Sequence, residues 1–122
     1  MPGASCPITG VEGQLHGGIA QGIATALCEG HLFDDAGQLP TGSLMDYALP
    51  RACDMPPLGI LTRDIPSPGN PPGAKGVGEA GPTGALAATT NAVAHALRAA
   101  GADLPALPLS PLRLWQALQR PS

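Results

Sequence analysis

The apolar positions form two long helical stripes separated by a stretch with no helical period. Within residues 12–29, Leu15, Ile19, Ile23 and Leu27 recur every fourth position, with Ala20, Ala24 and Ala26 beside them. That spacing places them on one side of a helix of 3.6 residues per turn, and Gly30 is a suitable C-cap. Leu86, Val93 and Leu97, set among many alanines, predict a second helix that ends at Gly101. It begins at Pro82 or Thr83, because proline suits the first helical position. Ser110 and Pro111 read as N-cap and first residue of a short last helix, whose apolar side is Leu112, Trp115, Ala117 and Leu118.

The intervening pattern is different. Residues 1–10 read as an irregular lead-in. His31-Leu32-Phe33 and Gln38-Leu39-Pro40 flank the polar turn Asp34-Asp35-Ala36-Gly37, which predicts a hairpin. Residues 43–49 suit an extended segment or a loop, and residues 58–62 a short strand. Pro66, Pro68, Pro71 and Pro72 exclude a helix over 65–73 and make an ordered loop. The expected class is α+β: two main helices, a short C-terminal helix, a hairpin and a short strand. The first helix also contains Gly13, Gly17, Gly18 and Gly22. Each costs about 1 kcal/mol relative to alanine inside a helix, so another backbone or a ligand must come close there. The spacing leaves both explanations open.

Composition sharpens this picture. At 122 residues the chain is the size of one domain. It is 43% hydrophobic yet has one Phe, one Tyr and one Trp, with 17 Gly and 15 Pro. Aromatic rings carry much of an ordinary core, so this apolar content suits a module that rests against other protein. Only 12% of residues are charged, which separates it from disordered chains. Arg51, Arg63, Lys75, Arg98, Arg113 and Arg120 are scattered singly, so no nucleic-acid surface is expected. Cys6, Cys28 and Cys53 are odd in number and lack metal-ligand spacing, which suggests reduced thiols in a cytoplasmic setting. No secretory leader is expected from residues 1–10, and no stretch is long enough to span a membrane.

The segment richest in chemistry is Lys75-Gly76-Val77-Gly78-Glu79-Ala80-Gly81. It contains G-x-G-x-x-G, and Asp103 lies beyond it at roughly the distance of a ribose-binding acid. That fingerprint requires a preceding strand, whereas a proline-rich loop precedes this one. Glu79 would also stand where a pyrophosphate belongs. The same glycines can bring backbone N–H groups to an anionic or carbonyl oxygen. Just before a helix N-terminus, Glu79 reads as a helix-start carboxylate or as a general base.

Four ordered motifs bear on that choice. Val11-Glu12-Gly13-Gln14-Leu15-His16-Gly17-Gly18-Ile19-Ala20-Gln21-Gly22 resembles the VEGQ-x-x-GG-x-x-QG signature of the xanthine dehydrogenase and aldehyde oxidase family. Residues 41–52 match its TGSLMDYALPRA segment, and residues 76–81 its GVGEAG turn. Leu109-Ser110-Pro111-Leu112-Arg113-Leu114-Trp115 resembles its closing LTPERVW helix. The resemblance covers nearly everything from Val11 onward and looks most like the large subunits of bacterial members, carbon monoxide dehydrogenase-like proteins among them.

The resemblance implies that residues 11–122 are the C-terminal segment of the second molybdopterin-binding domain. Glu79 would be the catalytic base beside molybdenum. Gln14 would contact the pterin, and the backbone of Lys75, Gly76, Val77 and Gly78 would lie along the same cofactor. No protein ligand to the metal is implied. The implied cofactor is a molybdenum-pterin, as molybdopterin cytosine dinucleotide, with FAD and [2Fe-2S] on partner subunits. The reaction implied is oxidative hydroxylation of aldehydes or N-heterocycles, or carbon monoxide oxidation. His16 and Gln21 carry no assigned role.

Pro82-Thr83-Gly84-Ala85-Leu86 departs from the usual TIGAP continuation, and residues 1–10 do not resemble the family. The other large-subunit segments are not in this chain. It would therefore work with the remainder of the large subunit and with iron–sulfur and FAD subunits. The alternative is an inactive remnant or a protein-interaction module. A free-standing nucleotide-binding module would rest on the glycine pattern alone.

Overall fold

The computed structural model describes residues 8–119. Helix α1 spans Ile8–Leu27, α2 Pro82–Ala99 and α3 Pro111–Leu118, with one 3-10 turn at Ala52–Asp54. Helix α1 begins four residues before the expected start, so residues 8–10 belong to its first turn rather than to the lead-in. Residues 1–7 lie outside the described part.

Helices α1 and α2 pack together through their smallest residues. A Cβ added at Gly18 would lie 2.8 Å from the Pro82 nitrogen and 2.9 Å from the Gly81 Cα. One added at Gly22 would lie 2.7 Å from the Leu86 nitrogen and would overlap the Ala85 methyl. Ala85 is buried at the same seam, and Ala24 and Ala26 on α1 and Ala94 on α2 are buried as well, while Leu15, Ile19, Ile23 and Leu27 are half-buried. The seam is therefore built from missing side chains, which lets the two backbones meet. Gly13 and Gly17 have nothing within 4 Å of an added Cβ, so α2 accounts for only two of the four glycines.

The helix ends follow local chemistry. Gly101 stands at φ 73° after α2; its N–H donates to the Arg98 carbonyl and that of Ala102 to the Leu97 carbonyl. This is the paired-bond C-cap for which glycine is favoured. Ser110 caps α3 by accepting from the Arg113 N–H, with Pro111 following. The connector before it is pinned to α1, where the Leu109 N–H donates to the Ala26 carbonyl at 2.7 Å. Leu109 is 1% exposed, the largest fully buried side chain among the described residues. Arg113 Nη1 donates to the carbonyls of Ala106 and Leu107 at 3.0 and 2.6 Å, holding the connector against α3.

Two strand expectations fail. Among the described residues no strand forms, neither in a hairpin over 31–40 nor at 58–62. The polar turn is present: Asp34 Oδ1 accepts from the Ala36 and Gln38 N–H groups, and the Asp34 N–H donates to the Gln38 carbonyl at 3.0 Å. It closes a single loop without a ladder, because no further backbone pairs follow. Gly30 is not in the left-handed region, so it does not cap α1 as expected. Its place lies under Pro108, 3.2 Å from an added Cβ.

Residues 31–54 are instead a ribbon of turns, several of them closed locally by a polar side chain such as Ser43 on Asp46 or Asp54 on the Arg51 N–H, and the ribbon continues to residue 65 without further turns. Its apolar side chains point outward: Phe33, Leu44, Met45 and Leu61 are exposed, the last two almost completely. The ribbon is tied to α1 by the Tyr47 hydroxyl, which donates to Glu29 Oε2 at 2.8 Å, with the His31 ring 5.5 Å from the Tyr47 ring. The bond to Glu29 raises the Tyr47 hydroxyl above its ordinary value of 10.0. Burial, with Glu29 beside it, raises Cys28 above 9.0. Both groups are held protonated in the fold, so their contribution is present below the ordinary values and is lost as pH rises through the folded ones. Stability is expected to fall as pH climbs past 9, through Cys28 first and then Tyr47, and Tyr47→Phe to flatten the part of that fall above pH 10 in urea titrations across pH 8–11. An unchanged pH profile in the variant would contradict it.

Candidate functional site

Glu79 sits in a turn immediately before α2 and is exposed. The turn is held from its C-terminal side. The Ala80 N–H donates to the Val77 carbonyl at 3.0 Å, and the Glu79 carbonyl accepts from the Thr83 N–H at 3.3 Å and from the Thr83 hydroxyl. The carboxylate itself makes no hydrogen bond or ion pair among the described residues. Gly81 is buried against α1: a Cβ there would lie 2.8 Å from the Leu15 carbonyl oxygen and 2.8 Å from the Gly18 Cα. The turn bearing Glu79 is thus seated on the part of α1 that bears Gln14, although 65 positions separate the two in sequence. Gln14, His16 and Gln21 are exposed on α1.

Upstream, the proline-rich loop is ordered as expected. Asn70 closes it, its side chain accepting from the Ala74 N–H at 2.7 Å and donating to the Ala74 carbonyl at 3.0 Å. The chain then runs without regular structure through Lys75, Gly76, Val77 and Gly78. Among the described residues the N–H groups of residues 75–79 find no acceptor, while an added Cβ at Gly76 or Gly78 would meet nothing within 4 Å. A run of free donors on an open glycine-rich backbone can bind an anionic or carbonyl oxygen. No strand precedes it and α2 starts only at Pro82, so the G-x-G-x-x-G pattern lacks the strand–turn–helix frame of a dinucleotide site. Asp103 lies past the end of α2 and lines an open depression of about 330 Å³ with Leu104, Arg113 and Gln116. A second depression of about 220 Å³, beside Cys28 and Thr41, likewise excludes Glu79 and Gln14.

Residues 3–56 match the molybdopterin cofactor-binding domain. The chain is 42% identical over 107 residues to the nicotine 6-hydroxylase large subunit of Paenarthrobacter nicotinovorans, covering 88% of this chain and 13% of that one. It is 38% identical over 109 residues to the carbon monoxide dehydrogenase large chain of Hydrogenophaga pseudoflava, covering 89% and 14%. In structure it superposes on quinoline 2-oxidoreductase from Pseudomonas putida 86 with a TM-score of 0.89 and 39% identity, over 99% of this chain and 15% of that one. The chain belongs to the xanthine dehydrogenase and aldehyde oxidase family. It spans between 13% and 15% of the length of these relatives.

Within that family the residues present fit a molybdenum-pterin group. The free N–H donors of residues 75–78 and the exposed amide of Gln14 are the donor and acceptor types that a pterin edge requires. No group of three or more His, Cys, Asp or Glu side chains able to hold a metal occurs among the described residues. No described helix is long and apolar enough to cross a membrane. Thr83 is the contributor that motif reading passed over. Its signal was its spacing, four residues after Glu79, from which a threonine hydroxyl reaches back to a carbonyl.

Proposed function

We propose that the chain forms part of the molybdenum-pterin site of a molybdenum hydroxylase and supplies its general base, Glu79. The observation that carries this reading is the seating of the Glu79 turn on the Gln14 part of α1 through Gly81, Leu15 and Gly18. Two segments that the family resemblance links to one cofactor also meet in space.

In this reading the cofactor, in its cytosine dinucleotide form, is held by the Gln14 amide and by the backbone N–H groups of Lys75, Gly76, Val77 and Gly78. When bound, it supplies the two-electron oxidation that hydroxylation of an aldehyde or N-heterocycle, or oxidation of carbon monoxide, requires. The chain's own part is proton handling and placement. Glu79 takes up a proton at a carboxylate oxygen, from a turn whose backbone is fixed and whose side chain is free to reach the reacting group. Gln14 orients the pterin by donating and accepting together. The open glycine backbone lets the ligand approach to van der Waals distance.

The chain corresponds to the C-terminal segment of the second molybdopterin-binding domain, and its partners are the remainder of a large subunit and the subunits carrying FAD and [2Fe-2S]. The outward apolar side chains of the ribbon support such a covering. The free thiols of Cys28 and Cys53 suit a cytoplasmic setting. The same exposed ribbon favours a second reading, an interaction module without catalysis. Co-production of the chain with the missing part of a family large subunit, followed by elemental analysis, separates the two. Molybdenum is expected in the purified complex and is expected to fall in Gln14→Ala. A stable complex devoid of molybdenum would favour the interaction module.

A further inference from the structure

We propose that Gly81 and Thr83 are positioning residues for Glu79, which seat its turn on α1 and fix the direction in which its side chain leaves the backbone. The proposal rests on the reading of Glu79 as base.

The peptide unit that follows Glu79 is held at both of its polar ends. Its N–H, from Ala80, donates to the Val77 carbonyl, and its C=O, from Glu79, accepts twice from Thr83. The peptide unit before Glu79 has no such partner among the described residues. The Cα–Cβ direction of Glu79 is therefore set from the C-terminal side, by Thr83 above all. Pro82 has no N–H to give, and the N-cap position, Gly81, offers no side-chain cap. Thr83 supplies the missing closure with its own N–H and hydroxyl together.

Among the described residues threonine back-bonding occurs twice more, from Thr25 to the Gln21 carbonyl and from Thr90 to the Leu86 carbonyl. In both cases the acceptor already lies inside the helix. At Thr83 the acceptor lies outside α2, in the turn that carries the carboxylate, so the hydroxyl holds a residue that the helix does not include. Gly81 adds the second constraint. With any side chain larger than hydrogen, the turn would be pushed off Gly18 and the Leu15 carbonyl, and Glu79 would move relative to Gln14.

The test compares Thr83→Val, Thr83→Ser, Gly81→Ala and Glu79→Gln in the molybdenum-containing complex, with hydrogen exchange of the peptide covering residues 77–84 as an independent readout. Thr83→Val is expected to lower kcat by about 10-fold or more at unchanged KM and molybdenum content, because a small displacement of a reacting group is costly. Exchange in that peptide should rise by about fivefold, and Thr83→Ser should restore both measures to within about twofold. Gly81→Ala should lower kcat in the same way; if it fails to assemble, the valine and serine pair decides. Wild-type kcat or wild-type exchange in Thr83→Val, or a loss that serine does not restore, would overturn the proposal. Full turnover in Glu79→Gln would instead remove the base assignment, and exchange alone would then decide whether Thr83 fixes the turn.

Discussion

Glu79→Gln is expected to leave molybdenum bound to the assembled complex while turnover falls by about 10²- to 10⁴-fold, the range for loss of a general base. The amide keeps the size of the carboxylate and cannot take up a proton at neutral pH. Because Glu79 makes no hydrogen bond through its side chain, the substitution leaves every backbone bond of its turn in place. The effect should thus appear in kcat, with helix content, metal content and assembly unchanged. A variant retaining full turnover would return Glu79 to the role of a helix-start carboxylate.

The second large effect concerns the glycines of α1, which should respond to alanine with opposite signs. Gly22→Ala places a methyl 2.7 Å from the Leu86 nitrogen and against Ala85, where only backbone displacement makes room. A loss of about 1–3 kcal/mol is expected, as for overpacking in a close-packed seam. Gly13→Ala places its methyl in open space, in the same helix and with helical backbone angles. It should stabilise the chain by up to about 1 kcal/mol, through better helix propensity and a more restricted unfolded chain. Urea denaturation of the full chain, followed by circular dichroism at 222 nm, measures both. Equal destabilisation by the two variants would mean that the α1–α2 seam is wrongly assigned.

Those glycines also mark how far local sequence signals reach. Helix ends are decided by one or two residues, so Pro82, Gly101 and the Ser110-Pro111 pair could be placed from the chain alone. The start of α1 could not, because Ile8, Thr9 and Gly10 precede the fourfold apolar ladder and carry no signal of their own. Residues 31–40 and 58–62 have the composition of strands, but a strand exists only through a ladder partner, which no local pattern supplies. The four glycines looked equivalent until α2 divided them, and α2 begins 60 residues after Gly22. The candidate site divides in the same way. Glu79 and Gln14 are legible as motif residues, whereas the Gly81 seat and the Thr83 closure depend on contacts and hydrogen-bond directions.

The ribbon of residues 31–65 has one further consequence. Its turns over residues 31–54 are closed by local polar bonds, so that part keeps its shape while presenting Phe33, Leu44 and Met45 to water. Such a surface is read by chaperones and proteases as an unfinished protein. Copies that find no covering would be cleared, so the cellular abundance of this chain would follow the supply of whatever covers the ribbon and not its own rate of synthesis.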